Sequence, residues 1–322
     1  MRILIIGGIQ FMGREVVRRL VARGHDVTVL HRRHEHDLGP AVHNLQADRA
    51  DLPAVERLLR EHAFDAVVDT AYDWVKGTPA SQVEALARAC GPQVQRYVFM
   101  SSTAAYGGGF DRREDDPLAP DEVPMPYVQH KAMAERALFR MHVESAFPVV
   151  TVRPPFVYGP RQPFYREQFF WDRLGDGRPI IVPDDGSTLM QWVYVDDVAE
   201  ACIRAIEVPE AAGHAFNVAH PPITQRAFVE ALARVAGVEP RLVTVPRTDL
   251  LEAGGHVFVG NLYFGEYLDL PPITQVVEKV TEMLGIAPIA FEEGLRRTYE
   301  WYVAQPRRPV DYAFEDRVLA GR

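Results

Sequence analysis

Tyr127 and Lys131 stand four residues apart in the stretch PYVQHK, which places both side chains on one face of a predicted helix. Upstream, FMSSTAAYG puts Ser101, Ser102 and Thr103 at the end of a predicted strand. A tyrosine can exchange a proton with a substrate oxygen, a nearby lysine charge lowers the pKa of that tyrosine, and a serine hydroxyl can steady the oxygen. This trio suits hydride transfer, although Y-x-x-x-K alone also occurs in ordinary surface pairs.

A glycine-rich turn near the start of the chain has the form of a dinucleotide-binding turn. GGIQFMG, residues 7–13, follows the apolar run RILII and precedes a helical pattern. In such a turn Gly7 permits the tight bend, Gly13 lets the helix pack on the sheet, and the helix N-terminus faces a pyrophosphate. Gln10 stands where a glycine is common, and its amide could contact the phosphate. A turn without any ligand is the alternative.

The second predicted strand ends in LHRR, residues 30–33, where enzymes specific for NAD usually have an acid for the ribose 2′-hydroxyl. His31, Arg32 and Arg33 have the chemistry to bind a 2′-phosphate instead, because guanidinium and phosphate pair bidentately. We therefore expect NADPH to be favoured over NADH, and a solvated basic turn is the alternative. HRRHEH also offers several histidines, but no metal site is expected because no second ligand cluster closes it.

These residues need a scaffold that brings strand ends together. Short apolar runs predict strands at RILII, DVTVLHRR, FDAVVDTA, QRYVFMSST and FPVVTVRPP, separated by helices of about a dozen residues. This alternation predicts an α/β fold, a Rossmann-type doubly wound parallel sheet with a smaller C-terminal substrate lobe. We expect a dinucleotide-binding domain over 1–158, with 191–219 returning to it, and the lobe over 159–190 and 220–322.

Two of the predicted helices carry boundary signals. REVVRRLVARG, residues 14–24, has an apolar face, and Gly24 can end the helix. In DLPAVERLLREH, Asp51 can cap the N-terminus while Pro53 lies in the first turn.

The composition of the 322-residue chain excludes several classes of protein. With 47% hydrophobic and 25% charged residues it is ordinary for a globular protein, and its formal net charge of −9 argues against nucleic acid as the main partner. Two cysteines, Cys90 and Cys202, are too few for a disulfide framework and fit a reducing compartment. Without a signal-peptide pattern or an apolar run of the ~18 residues that span a bilayer, we expect a cytoplasmic protein with no membrane partner.

In the order of its motifs, the chain resembles the extended short-chain dehydrogenase/reductases, the epimerase/dehydratase family. The likeness covers nearly the whole chain through GGIQFMG, VVDTA, SSTAAYG, YVQHK, VRPPFVYGP, WVYVDDVAEA and LGIAPIAFEEGLRRTYEWY. The resemblance implies an NAD(P) cofactor and hydride transfer between nicotinamide C4 and a carbinol or ketone carbon of a small molecule. It also implies a catalytic triad of Ser102, Tyr127 and Lys131.

The same resemblance implies the residues that bind the cofactor. The pyrophosphate loop matches Gly7, Gly8, Gln10, Phe11, Met12 and Gly13. Asp48 and Arg49 match the turn that contacts adenine, and Thr70 and Ala71 match the strand end beside the nicotinamide ribose. Pro154 matches a contact near the nicotinamide, which Tyr127 and Lys131 also approach.

Departures from the family's motifs bear on the substrate. The family's 4,6-dehydratases use Asp and Glu where this chain has Thr103 and Ala104, which disfavours that reaction. Many of its epimerases have an Asn where Phe156 stands, and a phosphate-binding Arg where Met190 precedes Gln191. A sugar nucleotide is therefore one candidate beside other secondary metabolites, and reduction and epimerisation both stay open. The residues predicted to contact substrate are Tyr72, Thr103, Phe156 and Gln191.

The chain is also similar to an atypical subgroup, bacterial proteins that resemble the chloroplast stem-loop RNA-binding proteins. The similarity lies in GGIQFMG, QWVYVDD and DYAFEDRVLAG. It raises the alternative of a non-catalytic protein that keeps the NAD(P)-binding fold and binds RNA or acts as a regulator, against which stand the complete triad and the negative charge. Family members often dimerise through two helices that match ASQVEALARAC and HKAMAERALFRM, so we expect a homodimer, although such apolar stripes also arise in plain cores.

Overall fold

A computed structural model describes residues 1–320; Gly321 and Arg322, the end of the predicted lobe, lie outside the described residues. The strands are β1 Arg2–Ile6, β2 Asp26–His31, β3 Val42–Gln46, β4 Ala66–Asp69, β5 Arg96–Met100, β6 Gly109–Arg112, β7 Val149–Arg153, β8 Phe156–Tyr158, β9 Ile180–Pro183, β10 Leu189–Met190, β11 Trp192–Tyr194, β12 His214–Asn217, β13 Ile223–Thr224, β14 Leu242–Val245 and β15 Ile273–Gln275. The α-helices are α1 Phe11–Ala22, α2 Leu52–Glu61, α3 Ala80–Ala89, α4 Pro126–Ser145, α5 Glu167–Gly175, α6 Val195–Glu207, α7 Gln225–Ala236, α8 Arg247–Glu252, α9 Glu278–Leu284, α10 Phe291–Val303 and α11 Ala313–Leu319.

Seven strands form the main sheet in the order β12-β7-β5-β4-β1-β2-β3, and every neighbouring pair is parallel. Alternate residues of β1 point to opposite faces, as the period of a strand requires. Ile3 and Ile5 pack in the core shared with α1 and α6, whereas Leu4 and Ile6 pack in the core shared with α2, α3 and α4. Helices on both faces of a parallel sheet confirm the predicted doubly wound α/β fold.

Strand β3 has no counterpart among the predicted strands. It lies at the edge of the sheet, and of its five residues only Val42 is buried. VHNLQ therefore lacks the apolar run that marks the central strands.

Helix α1 begins at Phe11, three residues before the predicted start, because the glycine turn itself enters the helix and Arg14 N donates to the Gln10 backbone oxygen at 3.1 Å. Helix α2 begins as predicted. The Asp51 carboxylate accepts a hydrogen bond from Ala54 N at 3.2 Å, and Pro53 lies in the first turn.

After β7 the chain leaves the main sheet, and it returns to it at β12. Helix α6 packs on α1, and β12 pairs with β7 at the edge of the sheet. The intervening and following segments form short strand pairs, β9 with β14 and β10 with β13, and a helical layer in which α5 and α10 both pack on α7. One hydrophobic core runs from Val16 of α1 to Phe228 of α7, so this layer is packed directly on the main sheet.

Cys90 and Cys202 are both buried and free. Within residues 1–320, no helix combines the length and the apolar character that crossing a membrane requires.

Candidate active site

A cavity of about 340 Å³ opens at the carboxyl ends of the parallel strands, next to the point between β1 and β4 where the strand order reverses. Doubly wound sheets bind ligands at such a point. Of the residues that the sequence predicts for cofactor binding and catalysis, all except Gly8 line this cavity. They are Gly7, Gln10, Phe11, Met12, Gly13, His31, Arg32, Arg33, Asp48, Arg49, Thr70, Ala71, Ser102, Tyr127, Lys131 and Pro154.

The glycines of the turn are required by close contacts. Gly7 has a φ of +87°, and a Cβ atom there would lie 2.9 Å from the Cβ of Ala71. A Cβ on Gly13 would lie 3.0 Å from the backbone oxygen of Gly7. Gly8 faces the core instead of the cavity, because a Cβ there would lie 2.9 Å from a methyl group of Val17. The turn therefore presents bare backbone to the cavity at Gly7 and Gly13.

Gln10 precedes the first residue of α1, and its side chain makes no capping hydrogen bond to the helix. The residue is exposed and lines the cavity. Its amide is therefore free to contact a ligand at the N-terminus of α1, where anions are stabilised by the helix dipole and by free N–H groups.

The basic end of β2 also lies at the cavity, and one of its arginines has an acidic partner that was not predicted from the sequence. His31 is buried, its Nδ1 accepts a hydrogen bond from Arg33 N at 3.1 Å, and its Nε2 has no partner among the described residues. Arg32 forms an ion pair with Asp73 at 3.3 Å. Backbone hydrogen bonds from Lys76 and Val75 lower the pKa of Asp73, which is therefore charged beside Arg32.

The two residues of the predicted adenine turn, Asp48 and Arg49, are both partly buried and make different contacts. Asp48 Oδ1 accepts a hydrogen bond from Ala50 N at 2.9 Å and lines the cavity. Arg49 binds the carboxylate of Asp69 with two hydrogen bonds of 2.8 and 2.9 Å and donates to the backbone oxygen of Ala71 at 2.8 Å. Arg49 thus fixes the end of β4 through its two Nη nitrogens, while its Nε has no hydrogen-bond partner among the described residues.

Helix α4 presents Tyr127 and Lys131 to the cavity one turn apart. Lys131 is 4% exposed, and its Nζ donates to the backbone oxygen of Met100 at 2.6 Å, below the ring of Phe99 at 4.8 Å. Burial lowers the pKa of Lys131 to about 8. Its ammonium is therefore held in place, and its charge depends on pH in the neutral to alkaline range.

The environment of Tyr127 differs from the predicted one. Burial raises the pKa of Tyr127, while a hydrogen bond with Ser102 and the charge of Arg166 oppose that rise. Lys131, the residue predicted to lower this pKa, lies with Nζ 5.8 Å from the centre of the Tyr127 ring. The positive charge that lowers the pKa of Tyr127 in this structure is that of Arg166.

The two serines at the end of β5 have different tasks. The Ser101 hydroxyl donates to the carboxylate of Glu135, which is 0% exposed and also binds the guanidinium of Arg153 at 2.7 Å. Ser102 lies next to Tyr127 instead, and its Oγ accepts from Ala104 N at 3.1 Å. Of the two serines, Ser101 is therefore engaged by the buried carboxylate, whereas Ser102 is the one predicted for the triad.

Of the four residues predicted to contact substrate, only Tyr72 lines the cavity. The Thr103 hydroxyl is buried and donates to Gln275 Oε1 at 2.5 Å. Gln191 is buried too, donating to the His220 backbone oxygen at 2.9 Å and accepting from Gln275 N at 2.8 Å. Phe156 packs against Trp192 with ring centroids 5.2 Å apart. The structure gives these three side chains internal packing and hydrogen-bonding roles instead of a place at the cavity.

Several residues that line the cavity were missed from the sequence. Trp74 stacks on the ring of Tyr127 and meets the edge of Phe164 at a centroid distance of 5.1 Å. Arg166 lies beside Phe164. These residues stand in segments without a helical or strand period. For Phe164 and Arg166 the one signal was the abundance of aromatic residues after Pro154, and Trp74 had none.

Within residues 1–320, no group of three or more His, Cys, Asp and Glu side chains is arranged to hold a metal ion. Of the histidines in HRRHEH, His31 and His36 contact each other as tilted rings, with centroids 6.1 Å apart.

Comparison with known proteins identifies the family of the chain. The model of the NAD dependent epimerase/dehydratase family matches residues 3–219. The chain is 27% identical to the chloroplast stem-loop binding protein of 41 kDa b of Arabidopsis thaliana, over 99% of this chain and 84% of that protein. It is 28% identical to a dTDP-glucose 4,6-dehydratase of Streptomyces niveus, over 94% of this chain and 93% of that enzyme. The structure of Thermus thermophilus UDP-glucose 4-epimerase in complex with NAD superposes with a TM-score of 0.70 at 25% identity, covering 94% of this chain and 99% of that one. The chain belongs to the NAD dependent epimerase/dehydratase family.

Proposed function

We propose that this protein is an NAD(P)-dependent oxidoreductase or epimerase that uses Ser102, Tyr127 and Lys131 at a carbinol or ketone carbon of a small molecule. The observation that carries the proposal is that Tyr127 and Ser102 share one cavity with Lys131 and with the glycine turn.

The residues of the cavity fit a dinucleotide. Bare backbone at Gly7 and Gly13, the free amide of Gln10 and the N-terminus of α1 suit a pyrophosphate. The unpartnered Nε2 of His31 offers a hydrogen-bonding atom near the ribose end. When bound, the nicotinamide supplies or accepts the hydride.

The side chains of Ser102, Tyr127 and Lys131 have separate roles in the reaction. Tyr127 exchanges a proton with the substrate oxygen, and the hydroxyl of Ser102, which lines the same cavity, steadies that oxygen. Lys131, anchored on Met100, adds a positive charge below the cavity that favours negative charge on Tyr127 once the pocket is filled and water is excluded.

The substrate is a small molecule with a secondary alcohol or a ketone. Two of the relatives are named for action on dTDP-glucose and UDP-glucose, which makes a sugar nucleotide one candidate beside other secondary metabolites. A 4,6-elimination is disfavoured, because Thr103 and Ala104 offer no acid or base. The carboxylates that line the cavity, among residues 1–320, are those of Asp48 and Asp73.

The preferred cofactor is NADPH. Arg32 and Arg33 line the cavity at the end of β2, and a 2′-phosphate there would give Arg32 a stronger partner than the ion pair with Asp73. A phosphate can engage both arginines, whereas the 2′-hydroxyl of NADH offers no charge to either.

Replacing Tyr127 with Phe tests the mechanism. Because general acid–base catalysis contributes roughly 10²–10⁴-fold, the variant is expected to bind NADPH normally and to lose at least about a hundredfold in turnover. The assay follows nicotinamide absorbance with a panel of ketones and nucleotide sugars. A loss smaller than about tenfold removes Tyr127 from the mechanism.

RNA binding is the second candidate, favoured by the similarity to the chloroplast stem-loop binding protein. The net charge of −9 argues against it. A mobility-shift assay with a stem-loop RNA separates the two, since salt-sensitive binding at physiological ionic strength would favour this candidate.

We also propose a cytoplasmic homodimer formed through the outer faces of α3 and α4. The apolar stripes of these helices, with Leu86 and Leu138 as examples, are buried in the core of one chain, so the interface must use the outer residues instead. Val143, at the end of α4, is 84% exposed, and Arg140 and Glu84 form an ion pair between the two helices. Sedimentation of Val143→Lys against the wild type tests this interface.

A further inference from the structure

We propose that Arg166 binds an anionic group of the substrate, either a carboxylate or a phosphate, so that the enzyme acts on an acid. The inference rests on the proposed function, because it places this anion in the same cavity as Tyr127. It adds a specificity residue that none of the sequence motifs contains.

Arg166 is a buried cation without an ion pair. The side chain is 8% exposed, and its Nε donates to the backbone oxygen of Glu266 at 3.2 Å. Among residues 1–320 the structure gives its two terminal Nη nitrogens no hydrogen-bond acceptor. Glu167 and Glu266 act on it through their charges without pairing with it. Buried charges are costly unless they are paired, so a site that keeps this arginine free is suited to a ligand of opposite charge.

The guanidinium of Arg166 packs against aromatic rings and is not paired with a carboxylate. The Cζ atom of Arg166 lies 4.6 Å from the centre of the Phe164 ring, 5.1 Å from that of Phe156 and 6.0 Å from that of Tyr267. Ring faces stabilise a guanidinium without using its N–H donors. The planar end of the side chain therefore stays available for two parallel hydrogen bonds to a carboxylate or a phosphate.

The position of Arg166 assigns the anion to the substrate. Arg166 and Tyr127 line the same cavity, and the charge of Arg166 acts on the Tyr127 hydroxyl. Trp74 connects them, since it stacks on Tyr127 and meets the edge of Phe164, on which Arg166 lies. The anion is thus placed in the same cavity as the reacting oxygen, with Trp74 and Phe164 as apolar walls for the carbon skeleton.

The other cations of the cavity already have partners or lie at its other end. Lys131 donates to Met100, Arg49 binds Asp69 and Arg32 pairs with Asp73. Arg33, with His31, stands at the end of β2, where the cofactor ribose is expected. Among the described residues that line the cavity, Arg166 is the guanidinium near Tyr127 that a substrate anion can engage.

Binding of matched sugars to the NADPH-loaded protein tests the inference. The probes are D-glucose, D-glucuronate and D-glucose 6-phosphate, which share one ring and differ in charge, and calorimetry or thermal shift measures their affinity. We expect at least one acid to bind ten- to a hundredfold more tightly than glucose, since charge-assisted bidentate pairing has about that strength. Arg166→Met should abolish this preference and leave glucose unchanged. Arg166→Lys, which keeps the charge but not the planar fork, should retain part of it.

Arg308→Met is the matched control, because Arg308 is exposed and does not line the cavity. A preference for glucuronate identifies a carboxylate, and a preference for the phosphate ester identifies a phosphoryl group. Equal affinity for all three sugars in the wild type, or an acid preference that survives in Arg166→Met, overturns the inference. So does a loss of NADPH affinity in Arg166→Met, which would make Arg166 a cofactor contact. If the wild type binds no NAD(P)H, the proposed function has failed first.

Discussion

The indole ring of Trp74 lies parallel to the phenol ring of Tyr127, with centroids 5.0 Å apart and an angle of 18° between the planes. Tyr72 meets the same phenol edge-on at 4.9 Å. The tyrosine is therefore held between two aromatic side chains from the loop after β4. Trp74 nevertheless remains 54% exposed, so its contact with Tyr127 is at the mouth of the cavity.

Replacing Trp74 with Ala should lower turnover while cofactor affinity is kept. Aromatic pairs contribute about 0.5–1.5 kcal/mol beyond burial, which corresponds to roughly a two- to tenfold fall in kcat/KM if the stacking orients Tyr127. Val75→Ala is the control, because Val75 is the next residue and is 93% exposed. Steady-state kinetics on both variants makes the comparison, and equal values would show that Trp74 does not position the tyrosine.

The charge of Lys131 should give turnover a pH dependence. Burial lowers its pKa from 10.5 to about 8, so the ammonium form is lost as pH rises through about 8. Activity that depends on this charge is expected to fall over that range, and a pH profile of kcat/KM measures it. A profile that stays flat up to pH 10 would contradict a role for the charge.

The stability of the fold should rise with pH as Lys131 loses its proton, whereas activity falls. Between about pH 8 and 10.5 the unfolded lysine still holds a proton that the folded one has lost, so the free energy of unfolding rises with pH. At 1.36 kcal/mol per pKa unit the gain is about 3 kcal/mol. Urea unfolding of the wild type and Lys131→Met across this range isolates the contribution, since Lys131→Met lacks it. A constant difference between the two proteins would mean that Lys131 is not titrating as its burial predicts.

The preference for NADPH should depend on Arg32 and Arg33. Guanidinium–phosphate pairing predicts roughly ten- to a hundredfold tighter binding of NADPH than of NADH, and changing both residues to Ala should remove that difference and leave NADH binding nearly intact. Because Arg32 now pairs with Asp73, Asp73→Asn should increase NADPH affinity by up to about fivefold. Calorimetric titrations of NADPH and NADH measure this preference, and equal affinities in the wild type would show that the arginines face solvent.

The buried carboxylate of Glu135 should matter far more to stability than a surface pair on the neighbouring helix. Glu135 is 0% exposed and binds Arg153, Ser101 and Thr151, so Glu135→Ala leaves an uncompensated buried arginine and should cost about 3–5 kcal/mol. Glu84→Ala breaks partly exposed pairs with Arg88 and Arg140 and should cost less than about 1 kcal/mol. Urea unfolding of both variants compares them, and similar costs would contradict the assigned importance of the buried pair.

The strands and helices were predictable where burial requires a recognisable pattern of apolar residues in the sequence. Central strands such as VVTVR are buried on both faces and therefore appear as continuous apolar runs, whereas the edge strand Val42–Gln46 is mostly exposed and lacks one. The start of α1 was misplaced by three residues because its first turn is also the glycine turn.

Site residues were predictable where chemistry and local spacing coincide. Tyr127 and Lys131 share one helix, and Gly7 and Gly13 share one turn, so short-range patterns sufficed. Arg166 and Trp74 come to the cavity from irregular segments that only the tertiary structure brings together. Gln191 was predicted to contact substrate but does not line the cavity. Its side chain instead forms hydrogen bonds with the backbone of Gln275 and His220 in the interior.

The mass of the intact protein under native conditions, with NADPH added, tests the central claim most directly. The account predicts one dinucleotide bound per chain in the wild type. Gly13→Val, which places a side chain against the backbone oxygen of Gly7 and the Thr70 hydroxyl, should show none. A wild-type mass that stays that of the bare chain with saturating NADPH and NADH would contradict the assignment of this cavity to a nicotinamide cofactor, and with it the proposed chemistry of Tyr127.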